Sequence, residues 1–501
     1  MSITPPATIL GLLLALTTCL SPAARAQNAP ARRPNIILIL ADDLAFGELG
    51  CYGQRKIRTP RLDRLDAQGM RFNHFYSGSP VCAPSRCTLL TGLHTGHAFI
   101  RDNKEMGGWG PDEPEGQLPL PANTITFASI LQAQGYATAA IGKWGLGGPG
   151  STGAPGSQAG IGKLGIDFFY GYLCQRIAHN YYPTHLWRND KKELLEGNEW
   201  FSAHQRLDVA PADAAAYARY RAAIYVPDLL LDEALRFIDA NRARPFFLYY
   251  ATPVPHAALQ VPDESIEPYL AEAWDREPYL GQQDYLPHPH PRAAYAAMIS
   301  RLDRDIGTIL DHLDTLGLTG ETIVMVTSDN GPTFTGGVDF EFFDSNGPLR
   351  GLKGSLYEGG IRVPLIVRWP GRIATDSQAN HIGAFWDLMP TIGDLVDIAM
   401  PQGRDGVSFA ATLLGRPYHE QIQHRYLYWE YQGAQSVRMD RWKAIWPAGS
   451  SDLDDIELYD LGANDYEGQD VSDDHPILMR DIARIMREGR TESAEFPLNR
   501  N

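Results

Sequence analysis

Two pairs of oxygen-bearing residues and a few cations hold the chemistry this sequence can do. Asp42 and Asp43 follow directly on the apolar run "NIILILA", and Asp329 and Asn330 follow directly on "ETIVMVTS". Together they offer three carboxylates and an amide oxygen, the hard oxygen donors that Ca²⁺ or Mg²⁺ takes. Carboxylates gathered at one place repel, and a divalent cation removes that cost. Lys143 ends "YATAAIGK", His256 follows "PFFLYYATPVP", and Arg86 and Lys353 lie in "APSR" and "GLKGS". A cation site with two lysines, an arginine and a histidine describes a pocket for a tetrahedral anion, the histidine being free to move a proton. Each residue alone has a plainer reading, as a strand end, a turn, a surface lysine or a structural ion pair. The chemical reading is favoured because these residues follow strand ends so consistently.

A further stretch, "VCAPSRCTLLTG" at residues 81–92, sets Cys82 just before a Pro-Ser-Arg turn. The chain has five cysteines in 501 residues, too few for a disulfide framework. No histidine spacing nearby completes a zinc site. The residues alone leave disulfide partner, metal ligand, nucleophile and buried filler all open for Cys82.

The elements that must position these residues read as alternating strands and helices. "NIILIL" is continuously apolar, as in a parallel strand covered on both faces. "TPRLDRLDAQG" has Thr59 as cap, Pro60 in the first turn and Gly69 as stop. "TITFASILQAQG" ends at Gly135, and "AAYAAMISRLDRDIGTILDHLDTLG" puts Met298, Leu302, Ile306, Ile309 and Leu313 on one face. The alternation predicts an α/β fold with a mostly parallel central sheet flanked by helices. Ligands of such sheets bind beyond the carboxyl ends of the strands, where the polar residues named above fall. Residues 147–200, rich in Gly, Tyr and His, read as long loops. From about Asp405 short aromatic strands, "YLYWEYQ", "QSVRMD", "RWKAIW" and "IELYDL", predict a small antiparallel C-terminal domain.

The net charge of −16 argues against nucleic acid as a partner, since phosphate backbones need a basic footprint. The start reads as an export signal, with an apolar run Ile9 to Leu16 and a cut after Ala26 in "AARAQ". That run is too short to span a bilayer. "LTTC" at Leu16 to Cys19 fits a lipoprotein box poorly, so a periplasmic or secreted protein is expected. The expected organisation is a signal peptide at residues 1–26, a catalytic domain at 27–405 and a small C-terminal α+β domain at 406–501.

The chain resembles the sulfatase family, the formylglycine-dependent hydrolases of the alkaline-phosphatase superfamily. "CAPSR" and "CTLLTG" resemble the segment around the family's modified cysteine, and "NIILILADDLAFGELGCYG" and "SDNGP" resemble its two metal motifs. "IGKWGLG" and "GLKGSLYEGGIRVPLIVRWPG" resemble its lysine segments, and "DGVSFAATLLG" the region leading into the C-terminal domain. The resemblance implies hydrolysis of a sulfate ester, with a carbohydrate O-sulfate expected. It implies that a maturation enzyme oxidises Cys82 to Cα-formylglycine, whose hydrate attacks sulfur and then expels sulfate by collapsing to the aldehyde. It implies Ca²⁺ held by Asp42, Asp43, Asp329, Asn330 and the modified Cys82. Arg86 and Lys143 would orient the hydrate, Lys353 would bind sulfate oxygens, and His256 would protonate the leaving alkoxide. Cys87 would be a small core residue. The pattern departs at Gly145, where many family members carry a histidine that helps the hemiacetal collapse; His179, in "QRIAHNYYP", is expected in that role. His94 and His97 are expected to contact substrate, and Trp109, Trp187, Tyr181 and Tyr182 are candidates for stacking on sugar rings. The rival readings are a formylglycine-dependent phosphodiesterase or phosphonate hydrolase, and an inactive exported glycan-binding protein.

Overall fold

In chain order the strands are β1 (Asn35–Ala41), β2 (Met70–Tyr76), β3 (Glu105–Gly107), β4 (Gly116–Gln117), β5 (Ala137–Lys143), β6 (Phe168–Tyr172), β7 (His185–Arg188), β8 (Lys191–Leu194), β9 (Phe246–Ala251), β10 (Thr322–Ser328), β11 (Leu365–Arg368), β12 (Ser377–Ala384), β13 (Leu427–Tyr431), β14 (Ala434–Met439), β15 (Trp442–Trp446) and β16 (Glu457–Asp460). The computed structural model describes residues 1–4 and 32–498 apart from 108, 111, 112, 114, 148–160, 212, 213 and 465. The predicted signal peptide therefore lies almost wholly outside the described residues. Among the described residues no helix is long and apolar enough to cross a membrane.

A ten-stranded sheet, in the order β12-β2-β11-β10-β1-β9-β5-β6-β7-β8, forms the centre. The run β10-β1-β9-β5-β6 is parallel throughout. Alternation along β1 divides its side chains between two cores. Ile37 and Ile39 join one with the helices Val226–Asn241 and Pro291–Thr315, while Ile36, Leu38 and Leu40 join the other with Cys82–Thr91 and Phe127–Ala133. Burial on both faces is why the strand reads as an unbroken apolar run. Met298, Leu302, Ile306, Ile309 and Leu313 all lie in the first core, as their spacing predicts.

Register brings the strand ends level. Ala41 pairs with Ser328, Leu40 with Ala251, and Gly142 with Ala251. The residues next in line, Asp42, Asp329, Thr252 and Lys143, therefore share one carboxyl edge. β11 runs antiparallel to β10, with Leu365 opposite Thr327. It thus enters the sheet from that same edge, and the segment preceding it delivers Lys353 there.

Residues 147–200 depart from the predicted loops: β6, β7 and β8 extend the sheet. They are short, at five, four and four residues, so the periodic signal is weak. Gly171 on β6 sits so close to β5 that a Cβ would come within 1.9 Å of the Gly142 carbonyl oxygen. A glycine that reads as a loop in sequence is here a close strand contact. β8, "KKEL", is the exposed sheet edge, and its lysines suit that position.

β13 to β16 form a four-stranded antiparallel sheet. One face packs on the helix Pro476–Glu488 through Val437, Leu458, Ile482 and Met486. The other meets the end of β2 through Trp429 and Tyr76, whose ring centroids are 5.4 Å apart. Trp429 Nε1 also donates to the Ser77 carbonyl at 2.9 Å, bracing the turn that leads to Cys82. Lys443, wholly buried, links the two parts with Nζ 2.9 Å from Glu358 and 3.1 Å from Glu467. Removing one partner of a buried ion cluster leaves uncompensated charge and costs about 3–5 kcal/mol. Lys443→Ala should accordingly lower Tm by several degrees; an unchanged thermal midpoint would show that this cluster does not hold the small sheet in place.

Candidate active site

The site is built where β1 and β10 end. After Ala41 the chain turns sharply, with Asp43 at φ +65°. A left-handed residue is costly for anything but glycine and persists where the surroundings enforce it. Consecutive side chains of an extended strand would point apart, whereas the turn brings both carboxylates into one cluster with Cys82 and His256. Their candidate ligand atoms all lie within 4.8 Å of one another. Asp329 binds the turn from the neighbouring strand, its Oδ1 accepting from Asp43 N at 3.1 Å. Asn330 Nδ2 donates to Asp43 Oδ1 at 2.7 Å.

Cys82 is the first residue of the ten-residue helix Cys82–Thr91. Asn103 Oδ1 accepts from Ala83 N at 2.8 Å and satisfies one free amide of the first turn. The helix N-terminus, with its partial positive charge, lies beside the Asp42 cluster. Cys82 Sγ is 3.3 Å from Asp42 Oδ1 and 3.8 Å from Lys353 Nζ. Cys51, Cys82, Cys87 and Cys174 are all free, and Cys87 lies in the core.

Each carboxylate meets a cation. Arg86 Nη2 lies 2.7 Å from Asp329 Oδ2 and 3.5 Å from Asp42 Oδ2, and Arg86 Nη1 donates to the Lys143 carbonyl. Lys143 Nζ is 2.6 Å from Asp42 Oδ2, and Lys353 Nζ is 2.7 Å from Asp43 Oδ1. Burial alone would push Asp42 up, but Lys143, His256, Arg86 and Lys353 outweigh it and hold its carboxyl well below the usual range. Asp329, less well compensated, is pushed up to about 6 by burial and by Asp42. Burial and the charge on Asp42 push the Cys82 thiol far up. A plain cysteine here is a protonated thiol, which is a poor nucleophile.

His256 Nδ1 donates to the Ala257 carbonyl, which leaves Nε2 facing Asp43 Oδ2 at 3.6 Å. Burial and Lys353 lower its pKa to about 4. His179 stacks on it, with ring centroids 4.6 Å apart and planes 13° apart. His179 Nδ1 meets His204 Nε2 at 3.1 Å, and His204 Nδ1 meets Asp284 Oδ1 at 2.6 Å. Burial and His256 hold His179 well below the ordinary histidine range.

Gly145 has φ +71°, and a Cβ there would meet Gln175 Nε2 at 2.1 Å. The Gln175 amide, which donates to the Gly145 carbonyl at 3.3 Å, covers the place a side chain at 145 would take. Sequence reasoning missed Gln175, His204 and Asp284. Each comes singly from its own loop, and no spacing marks it.

The structure does not bring His94 and His97 to this cluster. They lie past the far end of the helix that Cys82 begins, about 15 Å along its axis at 1.5 Å per residue. Their rings stack on each other at 4.4 Å, and His97 Nδ1 pairs with Asp405 Oδ1 at 2.9 Å. Expected as substrate contacts, they instead tie the helix end to the segment at Asp405. Tyr181, Tyr182 and Trp187 are buried and pack, whereas Trp109 lines a cavity beside His204.

The oxygen set fits a hard divalent cation. Asn330 Oδ1 is buried without a hydrogen-bond partner, beside the carboxylates of Asp42, Asp43 and Asp329. An acceptor buried unpaired costs about 1–3 kcal/mol, which a cation would recover.

The sulfatase sequence profile matches residues 34–398, and that of the N-sulphoglucosamine sulphohydrolase C-terminal region matches residues 352–492. The N-acetylgalactosamine-6-O-sulfatase of Bacteroides thetaiotaomicron is 28% identical over 95% of this chain and 97% of its own. Arylsulfatase A of Homo sapiens is 33% identical over 84% of this chain and 76% of its own. The crystal structure of Ps i-CgsB in complex with k-i-k-neocarrahexaose superposes with a TM-score of 0.71 at 26% identity, covering 92% of this chain and 93% of that one. With a mostly parallel sheet of the alkaline-phosphatase kind and these matches over most of its length, the chain belongs to the sulfatase family and is a sulfuric ester hydrolase.

Proposed function

We propose that the protein hydrolyses a carbohydrate O-sulfate, with Cys82 converted to Cα-formylglycine and Ca²⁺ held by Asp42, Asp43, Asp329 and Asn330. The observation that carries this is the convergence of Cys82, Arg86, Lys143, Lys353 and His256 on those four residues at one sheet edge. The carbohydrate is supported by the names of the similar proteins, an N-acetylgalactosamine-6-O-sulfatase and a protein complexed with a neocarrahexaose.

The charges suit the reaction. Asp42, Asp43 and Asp329 are matched one for one by Arg86, Lys143 and Lys353. A divalent cation and a sulfate ester entering together keep the site close to neutral, and Lys353 then turns from Asp43 to the sulfate oxygens. The aldehyde hydrate supplies the nucleophile and the cation supplies charge stabilisation at the sulfate. Lys353, the most exposed of these cations at 17% of its side chain, stands at the entrance and binds the sulfate oxygens. Arg86 and Lys143, buried beside Cys82, fix the orientation of residue 82. His256 Nε2 carries a proton to the leaving alkoxide. His179, neutral and packed on His256, serves as the base that speeds sulfate release in place of the histidine absent at 145. The ratio of kcat/KM for sulfate over phosphate esters tests the reaction class, and a panel of single O-sulfated monosaccharides tests the substrate class.

His256→Ala should lower the rate on a sugar sulfate by on the order of 10²–10⁴, since a sugar alkoxide needs a proton to leave. It should cost much less on a nitrophenyl sulfate, whose phenolate leaves unaided. Equal losses on both would contradict the proton-donor role. His179→Ala should instead give a burst of alcohol release followed by slow turnover, with a sulfated enzyme visible by intact mass. Wild-type kinetics in that variant would remove His179 from the reaction.

A further inference from the structure

The ring of His179 begins a chain of side chains that runs away from the catalytic cluster. Its Nδ1 lies 3.1 Å from His204 Nε2, and His204 Nδ1 lies 2.6 Å from Asp284 Oδ1. We propose that His204 and Asp284 are positioning residues for sulfate release: they hold His179 in the tautomer whose Nε2 is free to take a proton. This rests on the reading above of His179 as the base.

Hydrogen-bonding capacity fixes the direction of the chain. An ionised carboxylate only accepts, so His204 Nδ1 carries the hydrogen that meets Asp284. Neutral His204 then has a bare Nε2, which accepts from His179 Nδ1. His179 is left with its lone pair on Nε2. Asp284 suits the end of such a chain. Burial would raise its carboxyl, but the bond from His204 outweighs burial and holds it below the usual range. Its side chain is 58% exposed and that of His204 only 12%, so water solvates the carboxylate while the rings are shielded. The arrangement is held from behind. The Tyr279 hydroxyl donates to the Asp284 carbonyl, and the Tyr285 ring packs against His179, His204 and His256 at 5.2, 4.9 and 5.7 Å. Asp284 and Tyr285 are both left-handed, at φ +68° and +64°. Such a pair persists only where the fold enforces it.

The chemistry calls for such a device. Burial and His256 keep His179 neutral, so its tautomer decides what it can do. Lys143 and Lys353 act on it too, which places its ring in the field of the catalytic cations. With Nε2 bare, His179 takes the proton of the free hydroxyl on sulfated residue 82. The carbonyl reforms, the bond from its carbon to the sulfate oxygen breaks, and sulfate leaves with the electron pair. His179, now a cation, still donates from Nδ1 to His204, and the Asp284 charge one ring away offsets it. The proton is then given up to water. In the opposite tautomer Nε2 would carry a hydrogen and could accept nothing.

The test uses His204→Phe, which keeps a ring without nitrogens, and Asp284→Asn, which keeps the shape but admits either tautomer. On nitrophenyl sulfate, His204→Phe should slow steady-state turnover about tenfold, and Asp284→Asn should slow it less. The rate constant of the initial nitrophenolate burst should stay within about twofold of wild type in both. Sulfated enzyme should accumulate, visible by intact mass, with Tm measured alongside. In the His179→Ala background, adding His204→Phe should change nothing further, because it acts through His179. Wild-type turnover in both single variants, or equal losses in burst and steady state, would overturn the positioning role and leave His179 as the base. A further loss in the double variant would overturn it as well. Wild-type kinetics in His179→Ala would remove the base and this inference together, leaving ester hydrolysis intact. Failure of the wild type on every sulfate ester would overturn the proposed function itself.

Discussion

Cys82→Ser should reduce turnover by on the order of 10³-fold or more in a host that converts only cysteine. The geometry explains why so small a change has so large an effect. Residue 82 sits at a helix start, with Asp42 3.3 Å and Lys353 3.8 Å from its sulfur. A serine hydroxyl there can accept a sulfuryl group, but the resulting ester has no internal route of collapse. An aldehyde hydrate expels sulfate simply by reforming its carbonyl. The thiol itself is no alternative, because burial and Asp42 keep it protonated. Steady-state kinetics on any sulfate ester, with a Tm measured alongside, checks this. A serine variant with near-normal kcat would end the formylglycine assignment.

Removing divalent metal should abolish activity and lower Tm, and Ca²⁺ should restore both. At a free cation concentration about a hundred times Kd, bound metal adds about 2.7 kcal/mol to stability. The carboxylates explain the dependence on pH. Asp329 is pushed up to about 6 by burial and Asp42, so it takes up a proton as pH falls through that value. A protonated carboxyl cannot ligate, and metal affinity should therefore fall as pH drops toward 6. Calorimetric titration of the chelated protein with Ca²⁺ at two pH values measures this. A purified protein that holds zinc and does not respond to Ca²⁺ would mean the oxygen set is misassigned.

Much of this site was legible because its residues sit where an apolar run stops. "NIILILA" and "ETIVMVTS" are buried on both faces, and the first polar residues after them, Asp42 and Asp329, are placed side by side by the register Ala41 to Ser328. Lys143 ends β5 by the same rule, whereas His256 comes after the Thr-Pro-Val-Pro turn that follows β9. Lys353 needed more, because it reaches the site only through the reversed direction of β11, which nothing in "LIVR" betrays. His94 and His97 misled because nearness to Cys82 in sequence was spent along a helix axis. The strands in residues 168–194 were hidden by brevity and by a glycine that serves a close strand contact. His204, Asp284 and Gln175 were invisible for another reason. They come from separate loops, and their places beside the site are a property of the folded chain alone.

The most direct test of the account is the mass of the tryptic peptide that contains Cys82, taken from enzyme that hydrolyses a sulfate ester. The account predicts a peptide lighter than the cysteine form, carrying an aldehyde that reacts with a hydrazine probe. A fully active preparation in which that peptide has the unmodified cysteine mass would contradict it.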